Sequence, residues 1–435
     1  MRYWAMFFAI AIFPQAGLGK DRSHAGQPET LPSAGFASVD VPADDPRLQY
    51  TGRFEASDPK HPRCDWPASG IRARFTGGSV SVKLNGGKNN FEVSIDGQAR
   101  APIALQDGKD TYALATGLAT GEHVLALTKR TEGSGGITTF SGLVLDDGAA
   151  VLAPPSRPPW RVQVLGESYA AGYGAEGPSS SCGDRRPYDN AAKTFGAVLA
   201  RALDAELSLQ AISCIGLIHN CGDKVTPSKE PFTAFYKRTL NGSAAPAWNA
   251  AAWIPDLVVV TLANNDLDGA VKPTKEQFIS GYRAFLADLR ASWPGAGFIC
   301  VAFGFDNADP ARNIKREYIN DIVAQEIAAG HARTEFLFYG NLPSAPAQQG
   351  CNGHPNAAAH QKIADALYPL ARKLLPGTPV MPGPRSARGI RTPGSLPIWQ
   401  GWADGSQPFN ILGRWPGRHA ETLIRRRSNV RAIDE

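Results

Sequence analysis

Val162-Gln163-Val164-Leu165-Gly166-Glu167-Ser168-Tyr169-Ala170-Ala171-Gly172-Tyr173-Gly174 runs an apolar strand straight into a small-residue turn that carries a serine. The C-terminal edge of a buried parallel strand is where open α/β sheets gather their ligands, so Ser168 reads as a candidate nucleophile. An ordinary turn has the same composition, and the residues downstream have to decide between the two.

A serine needs a base, and Cys351-Asn352-Gly353-His354-Pro355-Asn356-Ala357-Ala358-Ala359-His360 offers one. Pro355 suits the first turn of a helix over residues 357–367, which places His354 at a loop-to-helix junction able to reach over a sheet edge. His360, inside that helix, reads as structural. Acyl transfer also needs donors aimed at the developing oxyanion. Ala211-Ile212-Ser213-Cys214-Ile215-Gly216-Leu217 can supply the backbone N–H of Gly216. The run 257–262 reads as a central parallel strand, and Asn265 just beyond it can present a side-chain amide.

Pro154-Pro155-Ser156-Arg157-Pro158-Pro159 is a stiff linker (154–159) that divides the chain. After it, over 160–376, strands and amphipathic helices alternate. Phe278, Ile279, Tyr282, Phe285, Leu286 and Leu289 form one helical stripe over 278–292, which predicts a right-handed βαβ sheet covered on both faces. Before it, over 36–153, short period-two segments such as Ser79-Val80-Ser81-Val82-Lys83-Leu84 alternate with Gly, Asn and Asp turns and predict an antiparallel β-sandwich. Trp66 in that region reads as core packing. Residues 20–35 are a polar lead-in. Residues 1–19 carry an apolar run at 3–13, too short against the about 20 residues that span a bilayer, and read as a signal peptide of a periplasmic or secreted protein without stable membrane insertion.

The tail, 377–435, is basic and rich in Gly and Pro, a disorder-prone composition. Its 9 arginines less its 4 acidic residues equal the whole formal charge of +5, so the remaining chain is balanced and the charge points to no nucleic-acid partner. Six cysteines suit an oxidising compartment. Cys182 with Cys351, which would tie two active-site loops, and the local pair Cys214 with Cys221 are both open; Cys300 reads as a buried thiol. Neither Cys nor His shows metal-ligand spacing, and no cofactor is called for.

Taken in order, Gly166-Glu167-Ser168, Gly216, Asn264-Asn265-Asp266 and His354-Pro355 resemble the four sequence blocks of the SGNH hydrolases. Tyr50-Thr51-Gly52-Arg53-Phe54, Asp65-Trp66-Pro67-Ala68-Ser69, Ile95-Asp96-Gly97 and Lys129-Arg130-Thr131-Glu132 extend the likeness to carbohydrate esterase family 2, over roughly 50–375. The resemblance implies an N-terminal jelly roll followed by a flavodoxin-like, doubly wound SGNH domain. It implies an acetyl esterase of xylan-type or glucomannan polysaccharide, acting on acetylated polysaccharide or oligosaccharide, expected as a monomer. Ser168 would be the nucleophile and His354 the base. The oxyanion hole would be the N–H groups of Ser168 and Gly216 with the Asn265 amide.

Three positions depart from the family pattern. Glu167 replaces an aspartate, Ala263-Asn264 replaces Gly-Thr, and neither Cys351 nor Asn352 is the aspartate that orients the histidine in relatives. The expectation is therefore a Ser168–His354 dyad, its imidazole oriented by a backbone carbonyl, such as that of Cys351, or by the Asn352 side chain. An imidazole without a carboxylate predicts activity that falls as pH drops through roughly 6 to 7. Two rivals stand beside this reading: a broad small-ester SGNH esterase, and a non-catalytic carbohydrate-binding protein on an esterase scaffold.

Overall fold

The computed structural model describes residues 38–304, 313–340 and 346–377. The signal peptide, the lead-in and the basic tail expected from the sequence lie outside these residues. The first strands are β1 Val39–Pro42, β2 Gln49–Thr51, β3 Arg63–Cys64, β4 Gly70–Thr76, β5 Val80–Asn85, β6 Asn90–Ile95, β7 Gln98–Ala104, β8 Thr111–Ala115, β9 Glu122–Lys129, β10 Thr138–Leu145 and β11 Val151–Leu152. They form two antiparallel sheets, β1-β10-β5-β8 with β3 beside β10, and β11-β4-β9-β6-β7 with β2 beside β4. Alternate residues such as Val80, Val82, Leu84, Phe91, Val93 and Ile95 are buried in one shared core, the outcome that period-two patterning dictates.

The second half is a parallel sheet of β12 Trp160–Gly166, β13 Ala205–Ala211, β16 Leu257–Thr261, β17 Gly297–Phe303 and β18 Thr334–Tyr339, in the order β13-β12-β16-β17-β18, with a small β14 Arg238–Leu240 and β15 Ser243–Ala247 hairpin outside it. That is the 2-1-3-4-5 order of doubly wound folds, whose direction reverses beside the first strand. The strands β16 and β17 are buried on both faces, as continuous apolar runs such as Leu257-Val258-Val259-Val260 require. Phe195 and Leu199 of one helix, with Ile363 and Leu367 of another, cover one face; Phe278, Phe285, Ile319 and Ile322 cover the other.

Some details differ from the sequence reading. The expected helix over 278–292 begins at Lys275, where Thr274 and Gln277 form a capping box, and Ile279 is half-buried at the margin of its core face. The last helix runs Ala357–Leu374, longer than expected. Its N-cap is Asn356, whose side chain accepts the Ala359 N–H, so Pro355 precedes the helix instead of opening it.

The residues 50–54, 65–69 and 129–132 that were quoted for the family likeness meet at the joint between sandwich and sheet. Arg53, 1% exposed, donates to the carbonyl oxygens of Tyr236 at 2.5 Å and Arg238 at 2.8 Å, with its guanidinium 5.0 Å from the Trp248 ring centre. The Asp65 carboxylate accepts the N–H groups of Asn241 and Gly242, both at 2.8 Å, in the β14–β15 turn. Trp66 is fully buried, in keeping with its reading as core.

Candidate active site

Ser168 opens a four-residue helix, Ser168–Ala171, directly after β12. As the first helical residue, its N–H has no partner within the helix. Ser168 Oγ lies 2.9 Å from His354 Nε2. His354 Nδ1 lies 3.3 Å from the carbonyl oxygen of Asn352. Asn352 adopts a left-handed conformation (φ 52°, ψ 35°), which asparagine tolerates and which turns its carbonyl toward the ring. Of the two expected orienting groups, the Asn352 side chain donates instead to Tyr173 Oη at 2.7 Å, and the Cys351 carbonyl accepts the main-chain N–H of His354 at 3.1 Å.

The imidazole stacks on Tyr173, ring centres 4.2 Å apart, and meets the edge of Tyr169 at 5.2 Å. Burial among these groups pushes its pKa down to about 4; the Asn352 carbonyl and Glu132 oppose the shift and Arg185 adds to it. The range of 6 to 7 expected from the sequence took an ordinary imidazole, whereas burial is the dominant influence on this one.

Two further loop ends meet at Glu167, the residue before the serine, and at Ile215, the residue before Gly216. Gly216 follows β13; a Cβ there would lie 2.0 Å from the His219 carbonyl oxygen, so only glycine fits. Its N–H donates to Asn220 Oδ1 at 3.1 Å. The fully buried Asp266 accepts the N–H groups of Leu217 (2.9 Å), Ile218 (2.7 Å) and His219 (2.9 Å), which shapes this loop from behind. The Asn265 amide donates to Glu167 Oε2 at 2.6 Å and to the Ile215 carbonyl at 3.2 Å. Glu167 also accepts the main-chain N–H of Asn264 and Asn265, so the longer side chain at this position is used to hold the Asn265 amide. Burial, reinforced by the neighbouring Asp266, pushes the Glu167 pKa up.

Both cysteine pairings left open by the sequence occur. Cys182–Cys351 ties the segment after the serine helix to the histidine loop, and Cys214–Cys221 closes the loop that carries Gly216; Cys64 and Cys300 are free and buried. His360 is buried and accepts the Phe195 N–H at Nδ1, a structural role. The sequence reading missed Lys315, buried between Asn264 Oδ1 (2.9 Å) and Asp268 Oδ2 (2.8 Å), and Arg185, whose guanidinium sits 4.0 Å from the centre of the Tyr173 ring. Neither lies in a recognisable motif. A cavity of about 350 Å³ opens beside Asn265, walled by His219, Lys224, Asn264 and Asp268.

Residues 50–155 match the carbohydrate esterase 2 N-terminal family, and residues 164–362 match the GDSL-like lipase/acylhydrolase family. Fold and site together thus define an acylhydrolase of the GDSL, or SGNH, class preceded by a sandwich. The chain is 30% identical over 333 residues to the cellulase/esterase CelE of Acetivibrio thermocellus, which covers 74% of this chain but 39% of that relative's length. It is 28% identical over 353 residues to an acetylxylan esterase / glucomannan deacetylase of Cellvibrio japonicus, covering 78% of this chain and 90% of the relative. A solved family two carbohydrate esterase from Clostridium thermocellum, in complex with cellohexaose, matches with a TM-score of 0.70 at 29% identity over 75% of this chain and 98% of that one. The chain belongs to carbohydrate esterase family 2.

Proposed function

We propose that the protein is an exported serine esterase that removes O-acetyl groups from xylan- or glucomannan-type polysaccharide. The observation that carries this reading is the 2.9 Å contact between Ser168 Oγ and His354 Nε2 at the switch point of the sheet. Ser168 attacks the acetyl carbonyl carbon while His354 takes its proton. The oxyanion draws the N–H groups of Ser168 and Gly216 and the Asn265 amide, exchanging for the 3.1 Å contact to Asn220 and the 3.2 Å contact to Ile215. His354 then returns the proton to the sugar oxygen as it leaves, and water, activated by the same imidazole, releases acetate from Ser168. A backbone carbonyl, rather than a carboxylate, faces Nδ1, so the catalytic pair is a dyad. The name of the Cellvibrio relative supports the substrate class, and the cellohexaose complex of the Clostridium relative supports a polysaccharide surface at this fold. The short apolar run at 3–13 supports export.

The test is acetate release from acetylated xylan and acetylated glucomannan by the chain without residues 1–19, beside Ser168→Ala. Release that the variant loses supports the reading. Turnover confined to small aryl acetates points to the broad esterase. Silence on every ester by a folded protein points to a binding protein.

A further inference from the structure

The carboxylate absent from the histidine block has a counterpart on the other domain. Glu132 follows β9 of the sandwich, yet its side chain lies in the α/β half, 3% exposed. One carboxylate oxygen, Oε2, accepts the Ser213 N–H at 2.7 Å, three residues before Gly216; the other, Oε1, accepts Arg185 Nη2 at 2.6 Å. Its own main chain is pinned, because the buried Lys129 ammonium donates to the carbonyl oxygens of Thr131 at 2.6 Å and Glu132 at 3.0 Å. Arg185 is clamped between Glu132 and Asp189 and lies against Tyr173, and Tyr173 stacks on His354 and receives the Asn352 side chain.

We propose that Glu132, carried by the sandwich, is a positioning residue that holds both halves of the catalytic centre: the base through Arg185 and Tyr173, and the oxyanion loop through Ser213. This rests on the esterase reading above. A buried carboxylate is stable only while both oxygens are paired, so losing it frees Arg185 and orphans the Ser213 N–H together. The effect on charge runs the same way. Around His354 stand Ser168, the uncharged rings of Tyr169 and Tyr173, the Arg185 cation, the more distant His360 and the Glu132 anion. Arg185 disfavours the imidazolium that forms during acylation and Glu132 favours it. The sandwich is therefore part of the enzyme's active centre, in addition to any hold it has on polysaccharide.

Glu132→Gln keeps an acceptor for Ser213 but ends the ion pair, and Arg185→Met removes the cation that Glu132 restrains. On an aryl acetate, Glu132→Gln is expected to lower kcat about 10- to 100-fold with KM within about 3-fold, since displaced groups weaken the transition state more than the ground state. Glu132→Asp is expected to recover part of that loss. Arg185→Met is expected to move the acid limb of the kcat/KM profile to higher pH, a change that a merely structural residue would not cause. Ser168→Ala run in parallel separates the two claims: if it stays active, the esterase reading fails. If it is dead while folded Glu132→Gln keeps kcat within about 2-fold of the parent, the positioning role alone is overturned. Should Glu132→Gln not fold, an acid limb unmoved by Arg185→Met overturns it as well.

Discussion

At the scale of single residues, the site rests on a histidine that burial keeps neutral. With its pKa near 4, His354 remains a base well below the range of an exposed imidazole. The kcat/KM profile is predicted to stay flat down to about pH 5 and to fall below it, because only the neutral imidazole accepts the serine proton. A half-drop between pH 6 and 7 contradicts this assignment. The same environment disfavours the imidazolium, so the oxyanion donors carry a large share of the barrier reduction. Asn265→Ala is predicted to lower kcat by about 10²- to 10³-fold, roughly 3 kcal/mol, and to lower the melting temperature as well, because the buried Glu167 carboxylate loses a donor. Steady-state kinetics with a melting curve check both parts. Ser168, Gly216, Asn265 and His354 were legible in the sequence because each follows a strand or precedes a helix that its neighbours announce. The identity of the group at His354 Nδ1 was not: the sequence offered a backbone carbonyl such as that of Cys351 or the Asn352 side chain, and the left-handed turn at Asn352 presents that residue's own carbonyl instead.

At the scale of elements, the two disulfides fasten loops that the sheet alone leaves long. Cys182–Cys351 closes a sequence separation of 169 residues and ends three residues before His354. Replacing both cysteines by alanine is predicted to cost roughly 2–4 kcal/mol of stability. Under conditions where the variant is still folded, it is predicted to lower kcat as well, because the histidine loop loses its tether. Denaturation and kinetics on the same preparation test this, and unchanged kcat in folded protein speaks against the tether. The elements themselves were readable: alternation announced the sandwich strands, and uninterrupted apolar runs announced the parallel ones. The ends were less so. Pro355 looked like a helix opener, and the Asn356 side chain took the capping role because it reaches the Ala359 N–H.

At the scale of the whole molecule, the sandwich and the parallel sheet share buried charge. Arg53, Asp65, Arg130 and Glu132 each reach from the sandwich to groups beyond the Pro-rich linker. These contacts join residues 183 positions apart at Arg53 and 176 apart at Asp65, a pairing no local pattern reveals, although the same residues stand out as family-like. Calorimetry is predicted to show one cooperative transition for both halves, and Arg53→Ala is predicted to lower its midpoint, since the Tyr236 and Arg238 carbonyls lose their donor. Acid sensitivity also belongs to this scale. His354 and His360 are held down to about 4 and about 3 by burial, against 6.5 for an ordinary imidazole. Below that ordinary value the unfolded chain binds more protons than the folded one, so stability is complete above about pH 6.5 and is lost as pH falls toward 3. His360→Asn, which retains an acceptor for the Phe195 N–H without titrating, is predicted to flatten that loss.

The central claim is that Ser168 carries the acetyl group between attack and hydrolysis. Rapid acid quench during turnover of an activated acetyl ester, followed by peptide mass mapping, tests it directly. The account predicts an acetyl adduct on the peptide containing Ser168 and on no other residue, with none in His354→Ala. Steady turnover with Ser168 unmodified at every quench time, or persisting in Ser168→Ala, contradicts it.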